Sequence, residues 1–110
     1  ELEEGIDSFL DPVRVSGILY ITREAMSNAI RHAGASKVMI HLARIEEKLV
    51  LTIRDNGRGF NLAAVDAENS GPLKQQGLRN MAERAQLLGG QLLVVSSPGN
   101  GTEVYVEVRV

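Results

Sequence analysis

The stretch EAMSNAIRHA, residues 24–33, sets a carboxylate, an amide, a guanidinium and an imidazole among alanine, methionine and isoleucine. Glu24, Asn28, Arg31 and His32 fall at i, i+4, i+7 and i+8, so on a helix they share one stripe beside an apolar one. The plain reading is a solvated face with pairing between positions four apart. Asn28 weighs against it, because asparagine is a poor helix former whose amide gains nothing from a purely solvated position.

Three further stretches carry candidate chemistry. In DNGRGF, residues 55–60, glycines at i and i+2 let the backbone take positive φ and let a ligand approach without a Cβ in the way. A simple Asp-Asn-Gly turn accounts for the same residues. QQGLRNMAERA, residues 75–85, opens a helical pattern at Gly77. A helix N-terminus exposes unpaired N–H groups and partial positive charge, which suits phosphate, although an ordinary loop-to-helix junction reads alike. PGNGT, residues 98–102, is by itself a hairpin turn. His41 reads as a surface or lightly buried strand residue, and Lys74 either as a phosphate contact or as a solvated lysine.

The elements that must position these groups are legible from periodicity. From about Pro12 to Ala33 the pattern is helical, with Val15, Ile18, Leu19, Ala25, Met26, Ala29 and Ile30 at spacings of three and four, and Gly34 is a plausible stop. KVMIHLAR and KLVLTIR alternate, placing Val38, Ile40 and Leu42, then Leu49, Leu51 and Ile53, on one face across a charged IEEK turn. Residues 55–76 form a long loop, of the kind usually functional or mobile. A second helix runs from about Leu78 to Leu88, with Leu78, Met81, Ala82, Ala85 and Leu88 on one stripe before Gly89 and Gly90. QLLVVSS and TEVYVEVRV form a second hairpin, with Val104, Val106, Val108 and Val110 inward. The opening ELEEGIDSFLDP leaves room for a short edge strand. Two face-polarised hairpins and two amphipathic helices predict an α/β fold, a two-layer sandwich with helices on one face of a mixed, mostly antiparallel sheet.

The 110 residues fit one domain with a genuine core. A net charge of −2 argues against general nucleic-acid or anionic-membrane binding. With no cysteine, disulfides and thiolate metal sites are ruled out. No apolar run approaches the roughly 20 residues of a membrane span, and no signal peptide is visible. The chain begins at Glu1 and reads as a piece of something longer.

In order and spacing, the four stretches resemble the ATP-binding catalytic domain of sensor histidine kinases, in the wider Bergerat-fold group with gyrase, the Hsp90 chaperones and MutL. EAMSNAIRHA is similar to that family's N box, DNGRGF to its first glycine box, QGLRNMAERA to its second and GNGTEV to its third. The resemblance runs from about Leu19 to Val110 and is strongest to the nitrate-sensor and DesK-type subgroup. It implies that the polar stripe faces ATP and its Mg²⁺. Asn28 would coordinate the metal through its side-chain oxygen, and Glu24 would orient a metal-bound water or accept a proton from an attacking imidazole. Arg31 and His32 would meet phosphates. Asp55 would accept from the adenine amine, assisted by Thr102, with Gly57 and Gly59 making room for the base. Gly77 and Leu78 would form a hinge and wall beside the phosphates, and residues 61–76 a lid. Two departures stand out: Gln75 replaces the usual first glycine of the second glycine box, and Asn100 replaces a small residue in the third.

The resemblance further implies transfer of the γ-phosphoryl group to a histidine on a separate dimerisation domain of the same protein, and a downstream response regulator. It implies a cytoplasmic, monomeric domain with no nucleic-acid or direct membrane contact. Neither His32 nor His41 lies in an acceptor-like context. A serine kinase of the anti-sigma-factor type shares these boxes, and an ATP-gated module like those of Hsp90 or MutL is the non-enzyme alternative, although the short lid argues against the latter.

Overall fold

The computed structural model describes residues 11–59 and 72–109, and for His32 and residues 72–76 the backbone only. The expected edge strand before Pro12 and residues 61–71 of the expected 61–76 lid lie outside the described residues.

Helix α1, Pro12–Ser27, starts at Asp11, whose side chain accepts the Arg14 N–H at 2.8 Å, with Pro12 in the first helical position. That capping bond satisfies one of the orphan donors of the first turn. One α-helix to Ala33 is not what forms. From Asn28 to His32 the backbone widens into a π-helical turn, and the Ala33 N–H donates to the Asn28 carbonyl, five residues back, at 3.1 Å. Gly34, at φ +61, ends it as expected.

The core-facing line of this helix also differs from the expected one. Gly17, Ile21, Ala25, Ala29 and Ala33 are buried, whereas Val15, Leu19 and Ile30 are 38%, 51% and 59% exposed. The reason is close packing. A β-carbon at Gly17 would stand 2.6 Å from the Leu88 side chain, so α1 turns its small residue toward Leu88 and leaves bulky ones such as Val15 and Leu19 to its exposed flanks.

Strands β1 (Val38–Ile45), β2 (Lys48–Asp55), β3 (Gly90–Ser96) and β4 (Thr102–Arg109) form one sheet in the order β1-β2-β4-β3, and all three pairings are antiparallel. The central pair, β2 and β4, places Leu49, Leu51 and Ile53 beside Val108, Val106 and Val104. This row packs against Ile21 and Ala25 of α1 and Met81 and Ala85 of helix α2, Pro72–Leu87. The two-layer α/β sandwich is thus observed. Full burial of each large apolar side chain contributes about 1.5–3 kcal/mol. On the opposite face Arg54 pairs with Glu103 at 2.9 Å and Lys48 with Glu107 at 3.5 Å, and the Tyr105 hydroxyl donates to Glu103. Exposed pairs of this kind contribute about 0–1 kcal/mol, so the apolar layer holds the fold.

The second helix starts six residues before the expected Leu78, at Pro72. Proline suits the first helical turn because its missing N–H would have no partner there and its φ is already helical. Gly77 therefore lies inside α2, not at its N-terminus, and residues 72–76 of the expected lid are helix.

Candidate functional site

The apolar rows of the sheet end in polar residues on the same face. Inward positions of β2 run Leu49, Leu51, Ile53, Asp55; those of β4 run Val108, Val106, Val104, Thr102; those of β3 run Leu92, Val94, Ser96. The register sets Asp55 opposite Thr102 and Thr102 opposite Ser96, so the three form one row across three strands. Opposed residues on adjacent strands point to the same face, with Cβ atoms about 5 Å apart. The core thus gives way to a polar floor without a change of strand.

Above this floor lies a narrow cleft lined by Ala25, Asn28, Asp55, Leu78, Met81 and Thr102 together with Ala33, Ile53 and Val104. Four of the expected site residues, Asn28, Asp55, Leu78 and Thr102, meet there, each from a different element. Its walls are mostly apolar and its polar groups few, the usual character of a small-molecule cleft. Asn28 reaches it from the π-helical turn, and such single wide turns occur often at functional sites.

Asp55 is half-buried, and its Oδ1 accepts the Gly57 N–H at 2.8 Å, leaving the second carboxylate oxygen for another partner. Asn56 clamps the turn to the segment after α1. Its Oδ1 accepts the N–H groups of Ser36 at 3.0 Å and Lys37 at 2.9 Å, and its Nδ2 donates to Ser36 Oγ at 2.9 Å. The Arg58 N–H donates to the Ala33 carbonyl at 2.9 Å, and the Gly99 N–H to the Arg58 carbonyl at 2.6 Å. Loops 33–37, 55–59 and 97–101 are therefore joined.

The glycines of DNGRGF answer to this packing. A β-carbon at Gly57 would lie 2.5 Å from that of Ala33, and one at Gly59 would lie 2.1 Å from the Ser97 carbonyl oxygen. In this structure protein atoms occupy the space expected for the base beside these two residues. Glu24 is half-buried on α1 and lies against Gly77, where an added β-carbon would meet its Oε1 at 2.5 Å. Arg31 is exposed and does not line the cavity, while the His32 side chain and those of Lys74 and Gln75 lie outside the described set. His41 is half-buried on β1, as its sequence context suggested. Asn100 sits at the exposed hairpin tip, where its Nδ2 donates to Ser97 Oγ at 2.8 Å.

Among the described residues no group of three or more His, Cys, Asp or Glu side chains could hold a metal by itself. An amide oxygen at Asn28 with a carboxylate one turn earlier nevertheless fits Mg²⁺, which takes one or two protein oxygens and fills its shell with phosphates and water. Ser96 and Asn56 are the residues sequence reasoning missed. The alternation Leu92, Val94, Ser96 was the available signal for the first; for the second, whose partners lie about 20 positions away, there was none.

Comparisons with known proteins bear on the family and the fold. Residues 14–110 match the family model described as histidine kinase-, DNA gyrase B- and HSP90-like ATPase. The sensor protein VraS of Staphylococcus saprophyticus is 42% identical over 103 residues, which cover 93% of this chain and 28% of that protein. VraS of Staphylococcus aureus is 40% identical over 104 residues, with the same coverage of each. The chain thus spans 28% of the length of these relatives. Among solved structures, the ATP-binding domain of PrrB from Mycobacterium tuberculosis superposes with a TM-score of 0.65 at 26% identity, over 86% of this chain and 67% of that one. The histidine kinase domain of the blue-light activated kinase EL346 from Erythrobacter litoralis gives 0.62 at 30% identity, over 84% and 43%. Among the described residues no helix is long and apolar enough to cross a membrane.

Proposed function

The chain belongs to the histidine kinase-, DNA gyrase B- and HSP90-like ATPase family, and on that premise we propose that it is the ATP·Mg²⁺-binding catalytic domain of a two-component sensor kinase. Its product would be a phosphohistidine on a dimerisation domain of the same protein, passed on to a response regulator in the cytoplasm. The observation that carries the reading is the meeting of Asn28, Asp55, Leu78 and Thr102 in one cleft.

Within that cleft Asp55 accepts from the adenine amine through the carboxylate oxygen that Gly57 does not hold, with Thr102 beside it. Leu78 and Met81 cover the base and exclude water. Asn28 and Glu24 lie on the α1 side, where the triphosphate leaves the base pocket. Bound there, Mg²⁺ would neutralise charge on the phosphates. The chain's own contribution is positioning and charge stabilisation, which dominate phosphoryl transfer. Arg31, exposed on the π-helical turn that follows α1, supplies a cation toward solvent, where phosphates would emerge.

Titration calorimetry with ATP and GTP tests the base assignment. Asp55→Asn keeps an oxygen for the Gly57 N–H but turns the other carboxylate oxygen into a donor. ATP affinity is expected to fall by roughly 1–3 kcal/mol, the effect of losing a charge-assisted bond and mispairing a buried group. Unchanged ATP affinity, or equal affinity of the parent for GTP, would reject the assignment.

A further inference from the structure

We propose that Ser96 fixes the direction of the Thr102 hydroxyl, so that the floor of the cleft offers hydrogen-bond acceptors only. This rests on the reading that the cleft holds a purine nucleotide against Asp55. The consequence is selection for a purine with an amino group, against one with an oxo group, at the position Asp55 reads.

Ser96 Oγ lies 3.0 Å from the Gly101 carbonyl oxygen and 2.9 Å from Thr102 Oγ1. A carbonyl oxygen can only accept, so Ser96 gives its single hydrogen to Gly101. The Ser96–Thr102 bond then uses the hydrogen of Thr102, with Ser96 accepting. Thr102 is left with lone pairs toward the cavity it lines. Asp55, directly opposite on β2, is an acceptor when ionised.

Little in this arrangement can turn over. The Gly101 carbonyl is backbone, and a β-carbon at 101 would lie 2.2 Å from the Asp55 carbonyl oxygen, so the β3–β4 hairpin and the end of β2 are already in close contact. An amino group presents two hydrogens to two adjacent acceptors. An oxo group there would set lone pairs against lone pairs and leave buried acceptors unpaired, which is a strong basis for discrimination. Ser96 does not line the cavity, so it acts through Thr102 and is a positioning residue. Its effect should appear in the ratio of two ligands, not in affinity alone.

The experiment is calorimetry of the parent, Ser96→Ala and Ser96→Thr with ATP and with inosine triphosphate, each with Mg²⁺, alongside thermal melting. Ser96→Ala frees the Thr102 hydrogen to turn into the cleft. The ATP-to-inosine-triphosphate affinity ratio should then fall roughly three- to tenfold, the worth of one hydrogen bond, while Ser96→Thr, which keeps a hydroxyl, should hold the parent ratio. If Ser96→Ala does not fold, Thr102→Val gives the second reading. It removes an acceptor, so it should weaken ATP binding more than inosine triphosphate binding. An unchanged ratio in Ser96→Ala, or a greater loss for inosine triphosphate in Thr102→Val, overturns the inference while ATP binding by the parent stands. A parent that binds neither nucleotide overturns the purine reading and this inference with it.

Discussion

The carboxylate of Glu24 on α1 lies against Gly77 inside α2, so close that a β-carbon at 77 would stand 2.5 Å from Oε1. The contact joins the helix that carries Asn28 to the helix that carries Leu78, and only glycine leaves Glu24 where it is. Alanine is about 1 kcal/mol better than glycine in a helix interior, and the obstructing atom is the far end of a flexible side chain. Gly77→Ala should therefore leave the melting temperature within a few degrees of the parent while displacing Glu24. Phosphoryl transfer in the full-length protein should drop at least tenfold. In a Glu24→Ala background the same substitution should stabilise by about 1 kcal/mol, and a double-mutant cycle in denaturant reads the coupling. Additivity of the two changes would deny it.

Asn28→Ala separates the metal from the base. The side chain sits on the α1 wall of the cavity, while Asp55 and Thr102 form its floor. Most of the Mg²⁺-dependent part of ATP affinity should be lost, with adenosine binding nearly unchanged, in titrations run with Mg²⁺ and with chelator. The fold should lose no more than about 0.5–1 kcal/mol, since the position is half-buried and keeps its backbone bonds. Equal loss for both ligands would make Asn28 a structural residue.

Asn56→Ala should loosen the joined loops from outside the cavity. Three side-chain hydrogen bonds disappear, two of them from the backbone of Ser36 and Lys37. Because the site is exposed, a loss of about 1–2 kcal/mol is expected, less than three isolated bonds would sum to. Asn56→Asp keeps the acceptor for both amides and should recover most of it. Amide exchange at Ser36 and Lys37 should speed up in the alanine variant and stay near the parent rate in the aspartate one.

Glu46 forms the β1–β2 turn with Glu47 and holds a left-handed φ of 57. For a residue with a β-carbon that conformation costs about 1–2 kcal/mol, and glycine adopts it freely. Glu46→Gly should raise unfolding stability by about 0.5–1 kcal/mol, after the extra chain entropy of glycine is taken off. ATP affinity should not move, because the turn is at the opposite end of β2 from Asp55. A drop in stability would show that the Glu46 side chain holds the turn.

The sheet was largely legible in the sequence, because strand alternation is local: Leu49, Leu51 and Ile53 announce their shared face wherever the chain goes. The helices were less so. Along α1 the three- and four-residue spacing fits two neighbouring stripes, and contact with Leu88, some 70 positions away, selects the one with small residues. The wide turn at Asn28 has no mark in the residue spacing, and the segment just after it is held from afar, the Arg58 N–H donating to the Ala33 carbonyl. Composition hid the start of α2, where Pro72, Lys74, Gln75 and Gln76 read as loop. In the site, Asp55 and Thr102 could be found as the polar ends of apolar rows. Glu24 and Gly77 each stood out alone, but their contact depends on how two helices cross.

The three joined loops come from widely separated parts of the chain: Asn56 reaches back 20 positions to Ser36, and Arg58 is bonded both to Ala33 and to Gly99. The shortest stretch that contains the whole clasp runs from Ala33 to Gly99, more than half of the chain, so the binding floor forms only when most of the domain has closed. Occupancy and global folding are then one cooperative equilibrium, and a ligand at a hundred times its dissociation constant should protect the whole domain by about 2.7 kcal/mol. Melting curves would then rank ligands as faithfully as direct titration. A destabilising change anywhere in the sheet would also lower ligand occupancy without touching the site, simply by thinning the folded population.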